Sequence, residues 1–401
     1  MSQSQVYIGR QPILDCNKNL FAYELRFYQG MNPNNHAVEE TAALINKVQS
    51  DVGFQAVVGS YPSMLHMPSQ LLTPATIPEI NSDHLLVLEV STAVLSNVNV
   101  LKNIKILKTQ GYHFLLDDYA GDEASEKLAT ITGFAKIRLQ RFSAIELREH
   151  IVKLHAKGIK VIGDKVDTEE QFAHYKQMGF DFFLGYFFTN PVIANGQKLS
   201  GNKLNLLQLL AKVNANDTGF DELSDVISQD VGLSHKLLVA INNPNNDIPI
   251  KVEKVSDALK YMGLKRLKFW VNLLMLSSMD DVPAELLTTS LLNAKFCELM
   301  AEQAGFSADK ETYFLAGMLS NLDAYFKAPI DEIVEALPLN ETLINALIHQ
   351  QGSIGEVLTI LKTMQDRAQE AENVTFGDIG IVQISNNFLA ASAWAHHAFT
   401  S

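Results

Sequence analysis

Short apolar runs alternate with amphipathic stretches over the first 190 residues of the chain. The runs have the length and composition of strands, and the stretches between them repeat apolar residues at helical spacing. The predicted strands are 20–25, 54–60, 85–90, 112–118, 134–139, 159–164 and 180–186, and the clearest helices are 38–50, 98–111 and 169–179. Strands that alternate with helices form parallel βαβ units. About seven or eight such units without a Gly-rich phosphate loop predict an α/β fold, a TIM-type (β/α)₈ barrel.

The alternation stops around residues 191–203, and from about Leu204 the pattern is helical throughout. Breaks rich in Asn, Pro and Gly, such as 242–249, separate the helices. No fixed repeat period is visible, which argues against a solenoid. The sequence therefore predicts an all-helical second domain, with boundaries at 1–198 and 199–401.

Charged side chains recur near the carboxyl ends of the predicted strands. Parallel barrels bring those ends to one rim, where such folds assemble their active sites. The residues concerned are Glu24, Glu89, Asp117, Asp118, Lys136 and Asp164. Their convergence predicts a functional site at this rim, either working or ancestral.

Composition and charge argue against a nucleic-acid-binding function. The chain has 401 residues, 47% of them hydrophobic, and a formal net charge of −13. Residues 1–200 carry 18 Lys and Arg against 20 Asp and Glu, so most of the excess negative charge lies in the second half. An acidic half repels phosphate backbones, and no basic recognition helix is visible, so no nucleic-acid partner is expected.

The expected compartment is the cytoplasm. The first residues lack a signal-peptide pattern, no apolar run is long enough for a membrane helix, and no membrane partner is expected. Cys16 and Cys297 are expected to be reduced thiols.

The stretch 136–165 carries eight basic and three acidic residues. It is either a solvated helix face or a positive field beside an anion-binding cleft.

Six motifs in order resemble the EAL family of cyclic-di-GMP phosphodiesterases, and the helical remainder resembles an HDOD domain. The motifs are YELRF (23–27), LEVS (88–91), LLDDY (115–119), FAKIRL (134–139), VIGDKVDT (161–168) and FLGYFFTNP (183–191). Together they resemble bacterial EAL–HDOD signalling proteins over nearly the whole chain. The resemblance implies a modified TIM-type barrel followed by an all-helical HDOD domain.

The resemblance also implies a two-metal site. In the family, carboxylates and one asparagine hold two Mg²⁺ or Mn²⁺ ions, which activate water for attack on a phosphodiester. The matching metal positions here are Glu24, Glu89, Asp117 and Asp118, and Lys136 matches the family's lysine.

Several positions depart from the family pattern. Gly59 is aligned with the asparagine, and Arg138 stands where an acid is usual. The two glutamates of the sixth-strand motif are Asp164 and Asp167, which are shorter by one methylene. At the ligand-binding positions, Leu184 replaces a glutamine, Tyr28 replaces a phosphate-binding arginine, and Arg26 lies two residues before it.

The HDOD part also lacks a metal dyad, because Ser320 and Asn321 stand where related hydrolases have His and Asp. The resemblance therefore implies a binding or scaffolding domain. His349, His396 and His397 are expected to be ordinary surface or semi-buried histidines.

Two functions remain open on the sequence. The first is a non-enzymatic adaptor with a degenerate barrel, whose partners would be other signalling proteins, cyclic-di-GMP, or a second copy of the chain. No cofactor is expected in that case. The retained acids either form hydrogen-bonded or ion-paired structure or keep weak residual metal binding. The alternative is a weak phosphodiesterase that uses Mg²⁺ or Mn²⁺, with Asp164 or Asp167 as base and Arg26 on the phosphate.

Overall fold

The structure is a computed structural model that describes most of the chain. It covers residues 6–29, 57–73, 77, 86–192, 201–214, 218–229, 231–242, 251–279, 281–366 and 374–399. The predicted helix at 38–50 lies outside these residues. Backbone contacts divide the chain into two compact units, Met1–Asn190 with Lys362–His396, and Pro191–Leu361 with His397–Ser401.

Eight strands of the first unit close into a barrel in chain order. The strands are β1 (Val6–Asp15), β2 (Leu20–Gln29), β3 (Ser63–His66), β4 (Leu86–Val90), β5 (His113–Leu116), β6 (Gly133–Arg138), β7 (Lys160–Asp164) and β8 (Phe182–Leu184). Strand β1 is antiparallel to both of its neighbours, and β2 to β8 are parallel. The modified TIM-type barrel is therefore confirmed.

One predicted strand is wrong. Residues 57 and 58 are the end of a helix and not part of a strand, and the chain then turns at Gly59, whose φ is 64°. Both valines are fully buried. Their apolar run has the composition of a strand, but in the structure these residues are the buried end of a helix. The strand itself follows at Ser63–His66. The sequence also missed β1, where Gly9 and Pro12 interrupt the strand pattern.

The barrel interior is packed with one inward-facing side chain from most strands. This cluster consists of Ile13, Ala22, Met64, Val87, Leu115, Ile162 and Leu184. Phe21, Phe134 and Phe182 pack against it, with the Phe21 and Phe182 rings stacked at 4.0 Å. The filled interior leaves the carboxyl ends of the strands as the place for a site.

Four helices of this unit begin at side-chain caps. They are α1 (Val98–Thr109), α2 (Glu123–Thr132), α3 (Ala144–Ala156) and α4 (Glu169–Met178), capped by Asn97, Asp122, Ser143 and Thr168. Such caps satisfy amide groups that the first helical turn leaves unpaired. Helices α1 and α4 lie within one or two residues of the bounds that the sequence predicts.

The second unit is helical, as predicted. Its helices are α5 (Gly201–Asn214), α6 (Phe220–Gln229), α7 (Val231–Ile241), α8 (Val255–Ser277), α9 (Ala284–Gln303), α10 (Lys310–Leu319), α11 (Leu322–Phe326), α12 (Ile330–Glu335) and α13 (Glu341–His349). Helix α8 contains a kink at Gly263. At Gly317 a Cβ would lie 2.3 Å from the Asn293 carbonyl oxygen, so glycine permits the close approach of α9 and α10. None of the helices that the structure describes is long and apolar enough to cross a membrane.

The last two helices are α14 (Gly352–Asp366) and α15 (Ile381–Phe399). Residues 362–396 of this region group with the barrel. The predicted boundary between 198 and 199 stays a prediction, and the structure adds that a segment from the end of the chain belongs to the first unit.

His396 of α15 is an anchor of that segment, contrary to the expectation that it is an ordinary histidine. Its Nε2 accepts a hydrogen bond from Arg10 at 2.7 Å, because a guanidinium can only donate. Arg10 is 1% exposed, donates to the Val57 carbonyl oxygen at 2.8 Å, and lies over the Tyr23 ring at 4.1 Å. A buried cation on β1 therefore depends on an acceptor some 386 residues later in the chain.

Asp181 fixes the start of β8 against β7, and its replacement by Asn tests that role. It accepts hydrogen bonds from Lys160 at 2.7 Å, His155 at 2.8 Å and the Val161 amide at 2.9 Å. Burial alone would raise the pKa of Asp181, but these bonds outweigh it and lower the pKa below its ordinary value. Asp181→Asn should cost about 1–2 kcal/mol of unfolding free energy near pH 6.

The pH dependence of this cost follows from the lowered pKa. The contribution of Asp181 is present above an unfolded-state pKa of about 3.9 and is lost as the pH falls through the folded-state pKa. Urea unfolding can be followed through Trp394, with Trp270 of the second unit changed to Phe. A stability difference that is the same at pH 6 and pH 3 would refute this assignment.

Candidate functional site

Charged and polar side chains form a layer at the carboxyl ends of the strands. Successive inward-facing residues of a strand lie two positions apart. Each member of the layer comes two positions after an inward-packed side chain: Glu24 after Ala22, His66 after Met64, Glu89 after Val87, Asp117 after Leu115, Lys136 after Phe134 and Asp164 after Ile162. The structure thus brings the predicted residues together in one layer and adds a histidine, His66, that the sequence analysis missed.

Lys136 forms ion pairs with three carboxylates of this layer. Its Nζ pairs with Glu24 Oε1, lies 2.8 Å from Glu89 Oε2 and lies 3.0 Å from Asp117 Oδ1. Glu24, Glu89 and Lys136 are 1%, 2% and 3% exposed. A single buried ammonium thus faces three carboxyl groups, and the cluster has a net charge of −2 when all three are ionised.

Burial among these charged groups changes the pKa of Glu89. Burial raises the pKa of Glu89 well above its ordinary value, and the charge of the Glu24 carboxylate raises it further, although Lys136 opposes both. Glu89 Oε1 is buried and accepts no hydrogen bond within the described part of the chain. A buried polar atom ordinarily has a hydrogen-bond partner. Because Glu89 Oε1 has none among the described residues, this oxygen is available as a ligand.

Asp118 is held apart from the Lys136 cluster by two arginines. Its backbone has a φ of 52°, in the left-handed region, and its Oδ1 lies 2.8 Å from Arg141 NH1. Arg138 Nε lies 3.9 Å from the same oxygen. The cation at position 138, where the family has an acid, therefore belongs to the surroundings of Asp118 and adds positive charge to the rim.

His66 takes the place that the sequence analysis gave to Gly59. Gly59 lies in the turn before β3, at the amino end of the strand, and cannot be a rim position. His66 ends β3, pairs in register with Glu89, and places its Nδ1 3.9 Å from Asp117 Oδ2. The spacing from buried Met64 could have identified it, but the misplaced strand at 54–60 hid this signal.

The remaining predicted site residues divide into three groups. Asp164 ends β7 at the rim and is buried, whereas Asp167 is exposed in the loop that follows. The assignment of Leu184 to ligand binding is wrong, because its side chain is fully buried in the barrel interior. Arg26 and Tyr28 lie in β2, opposite Gly9 and Tyr7, and their side chains lie outside the described part of the structure.

One group of rim side chains could hold a metal ion. His66, Glu89 and Asp117 each offer a ligand atom, and these atoms all lie within 4.8 Å of one another. The donor set fits a divalent cation, since each carboxylate gives one oxygen to Lys136 and has a second oxygen available. Asp118, which matches a metal position of the family, is paired with Arg141 instead and is not part of this group.

At the position of the HDOD dyad, the structure shows hydrogen-bonding residues and no acid–histidine pair. Ser320 Oγ accepts from Asn293 Nδ2 at 3.1 Å. Asn321 Nδ2 is buried without a partner among the described residues. No His, Cys, Asp and Glu cluster with metal spacing occurs among the described residues of this unit.

Comparisons with known proteins agree with this architecture. The EAL domain model matches residues 34–191, and the HDOD domain model matches residues 204–329. The cyclic di-GMP phosphodiesterase CdgJ of Vibrio cholerae is 29% identical over 364 residues, covering 88% of this chain and 83% of CdgJ. The uncharacterized YuxH of Bacillus subtilis is 24% identical over 406 residues, covering 98% of both chains.

Among solved structures, BlrP1 of Klebsiella pneumoniae in complex with calcium and cyclic-di-GMP matches with a TM-score of 0.36 and 14% identity. The match covers 46% of this chain and 55% of BlrP1, less than two thirds of its length. The two domain models follow one another along the chain, the first over strands β3 to β8 of the closed barrel and the second over part of the helical unit. The chain therefore belongs to the EAL–HDOD proteins, with an EAL domain followed by an HDOD domain.

Proposed function

We propose that this protein is a non-enzymatic signalling adaptor related to cyclic-di-GMP. Its EAL barrel binds a partner, and its HDOD domain carries the output. The similarity to a V. cholerae protein named as a cyclic di-GMP phosphodiesterase supports the nucleotide class. The observation that carries the proposal is the pairing of Asp118 with Arg141, with Arg138 beside it.

Two-metal hydrolysis needs two ions about 3.5–4 Å apart, each held by several oxygens. Here Lys136 lies among Glu24, Glu89 and Asp117, and Arg141 is paired with Asp118. Asp118, which a second ion would need, is thus already paired with a cation. Arg138 adds a further positive charge where an acid is usual in the family.

The test is an incubation of the purified chain with cyclic-di-GMP in Mg²⁺ or Mn²⁺, with the products separated by chromatography. We expect the cyclic nucleotide to stay intact over hours. Linear dinucleotide that forms with this chain and not with Glu24→Ala would overturn the proposal. Using Glu24→Ala as the control excludes a contaminating phosphodiesterase, which would act in both samples.

Nucleotide recognition is tested separately by calorimetry. The rim carries the partly exposed guanidinium groups of Arg138 and Arg141, which suit a phosphate diester. We expect binding of cyclic-di-GMP without cleavage and at least fivefold weaker binding in Arg138→Ala. If calorimetry detects no heat of binding at high micromolar cyclic-di-GMP, partner docking would remain as the role of the barrel.

The second candidate is a weak phosphodiesterase that uses Mg²⁺ or Mn²⁺ with a rearranged site. The observation that favours it is His66, since it offers the neutral ligand that Gly59 could not. Asp164, which is buried at the rim, or Asp167 would then serve as base, and Arg26 would hold a phosphate. When bound, the metal would polarise the phosphodiester and lower the pKa of a water molecule.

A further inference from the structure

We propose that His66, Glu89 and Asp117 form a site for one divalent ion, and that His66 makes this site prefer Zn²⁺ or Co²⁺ over Mg²⁺ and Ca²⁺. The inference concerns the identity and number of the ions. It stands whether or not the nucleotide is cleaved.

The geometry supplies the first step. Two ligands that each lie about 2.1 Å from an ion are at most about 4.2 Å apart. His66 Nδ1 and Asp117 Oδ2 lie 3.9 Å apart, within that limit. The three ligand atoms lie within 4.8 Å of one another, so a small side-chain movement closes the set. The His66 side chain is 53% exposed and has room for that movement.

The hydrogen bonding supplies the second step. Lys136 contacts Oε2 of Glu89 and Oδ1 of Asp117, and it therefore holds one oxygen of each carboxylate. Oε1 of Glu89 is buried and has no partner among the described residues. A cation beside it would satisfy an oxygen that the protein itself leaves unbonded.

The net charge of the cluster indicates how many ions the site would hold. Glu24, Glu89 and Asp117 with Lys136 sum to −2 when the three acids are ionised, and neutral His66 adds nothing. One divalent ion balances this charge. A second would have to compete with Arg141 for Asp118, at a rim where Arg138 repels it.

The ligand type supplies the preference. Mg²⁺ and Ca²⁺ favour oxygen ligands, whereas imidazole suits Zn²⁺, Co²⁺ and other transition-metal ions. A set of one imidazole and two carboxylates with open positions is a pattern that such ions accept. Position 66 thus sets the ion preference of the rim.

The test is metal binding by chain stripped with a chelator, measured by equilibrium dialysis against Zn²⁺, Co²⁺ or Mg²⁺ and by the visible absorption of bound Co²⁺. We expect one equivalent of Co²⁺ or Zn²⁺ that is lost in His66→Ala, with at least tenfold weaker binding. His66→Asn should reduce the preference for Zn²⁺ over Mg²⁺ at least tenfold while the chain stays folded.

The matched control is His174→Ala, which removes an exposed histidine from α4 of the same unit. It should keep the Co²⁺ spectrum and the full stoichiometry. Unchanged Co²⁺ binding in His66→Ala would overturn the inference, as would Mg²⁺ binding as tightly as Zn²⁺. Two equivalents lost together in His66→Ala would also contradict a single-ion site.

Discussion

Replacing Lys136 by Met is expected to lower the free energy of unfolding of the first unit by roughly 3–5 kcal/mol. The lysine is 3% exposed and pairs with Glu24, Glu89 and Asp117. Without it, the buried carboxylates of Glu24 and Glu89 would lie beside that of the partly exposed Asp117 with no cation, and their mutual repulsion would be uncompensated. Urea unfolding through Trp394 fluorescence, in the background with Trp270 changed to Phe, measures the loss.

Two comparisons make this result specific to the cluster. Lys153→Met removes an exposed pair with Glu126 and should cost less than about 1 kcal/mol. Adding Glu24→Gln to Lys136→Met should recover part of the loss, because one of the three neighbouring negative charges disappears. A Lys136→Met chain as stable as the wild type would show that Lys136 does not hold these acids together.

Replacing His396 by Ala is expected to lower the free energy of unfolding of the same unit by about 2–3 kcal/mol. The change removes the acceptor of a buried guanidinium and an edge-on contact with the Tyr23 ring at 5.4 Å. It also opens space beside Gly59, where a Cβ would lie 3.2 Å from His396 Nδ1. Trp394 on the same helix reports the unfolding directly.

The control for this prediction keeps the hydrogen bond. His396→Gln retains an acceptor for Arg10 and should cost less than half as much as His396→Ala. His349→Ala, at an exposed position of α13, should change the stability by less than about 0.5 kcal/mol. Equal losses in the Ala and Gln variants would mean that packing, and not the bond to Arg10, ties this helix to the barrel.

Much of the barrel could be predicted from sequence, because its signals are local. Strands such as β4 and β7 are short apolar runs, and Glu89 and Asp164 stand at their carboxyl ends. The alternation of inward and outward side chains then places these acids in one layer above the packed interior. The same rule locates His66 once β3 is placed correctly.

The parts that could not be predicted depend on distant contacts. The apolar residues Val57 and Val58 pack equally well from a helix as from a strand, and the error there displaced the ligand position to Gly59. His396 reads as a surface histidine until Arg10, on the first strand, is seen to donate to it. Leu184 looked like a lost ligand contact, although its place in the barrel core explains an apolar residue there.

We therefore propose a rim in which protein cations pair with acids that hold metal ions in two-metal enzymes. Lys136 is surrounded by acids, and Arg138 and Arg141 flank Asp118. One group, around His66, keeps the ligands for a single ion.

The most direct test of this account is a single-turnover experiment, with the chain in large excess over cyclic-di-GMP and with Mn²⁺ present. Under these conditions even one slow cleavage per molecule produces measurable linear dinucleotide. The account predicts nucleotide that is recovered intact after hours, equally from the wild-type chain and from Glu24→Ala. Stoichiometric conversion by the wild-type chain, absent in Glu24→Ala, would contradict it.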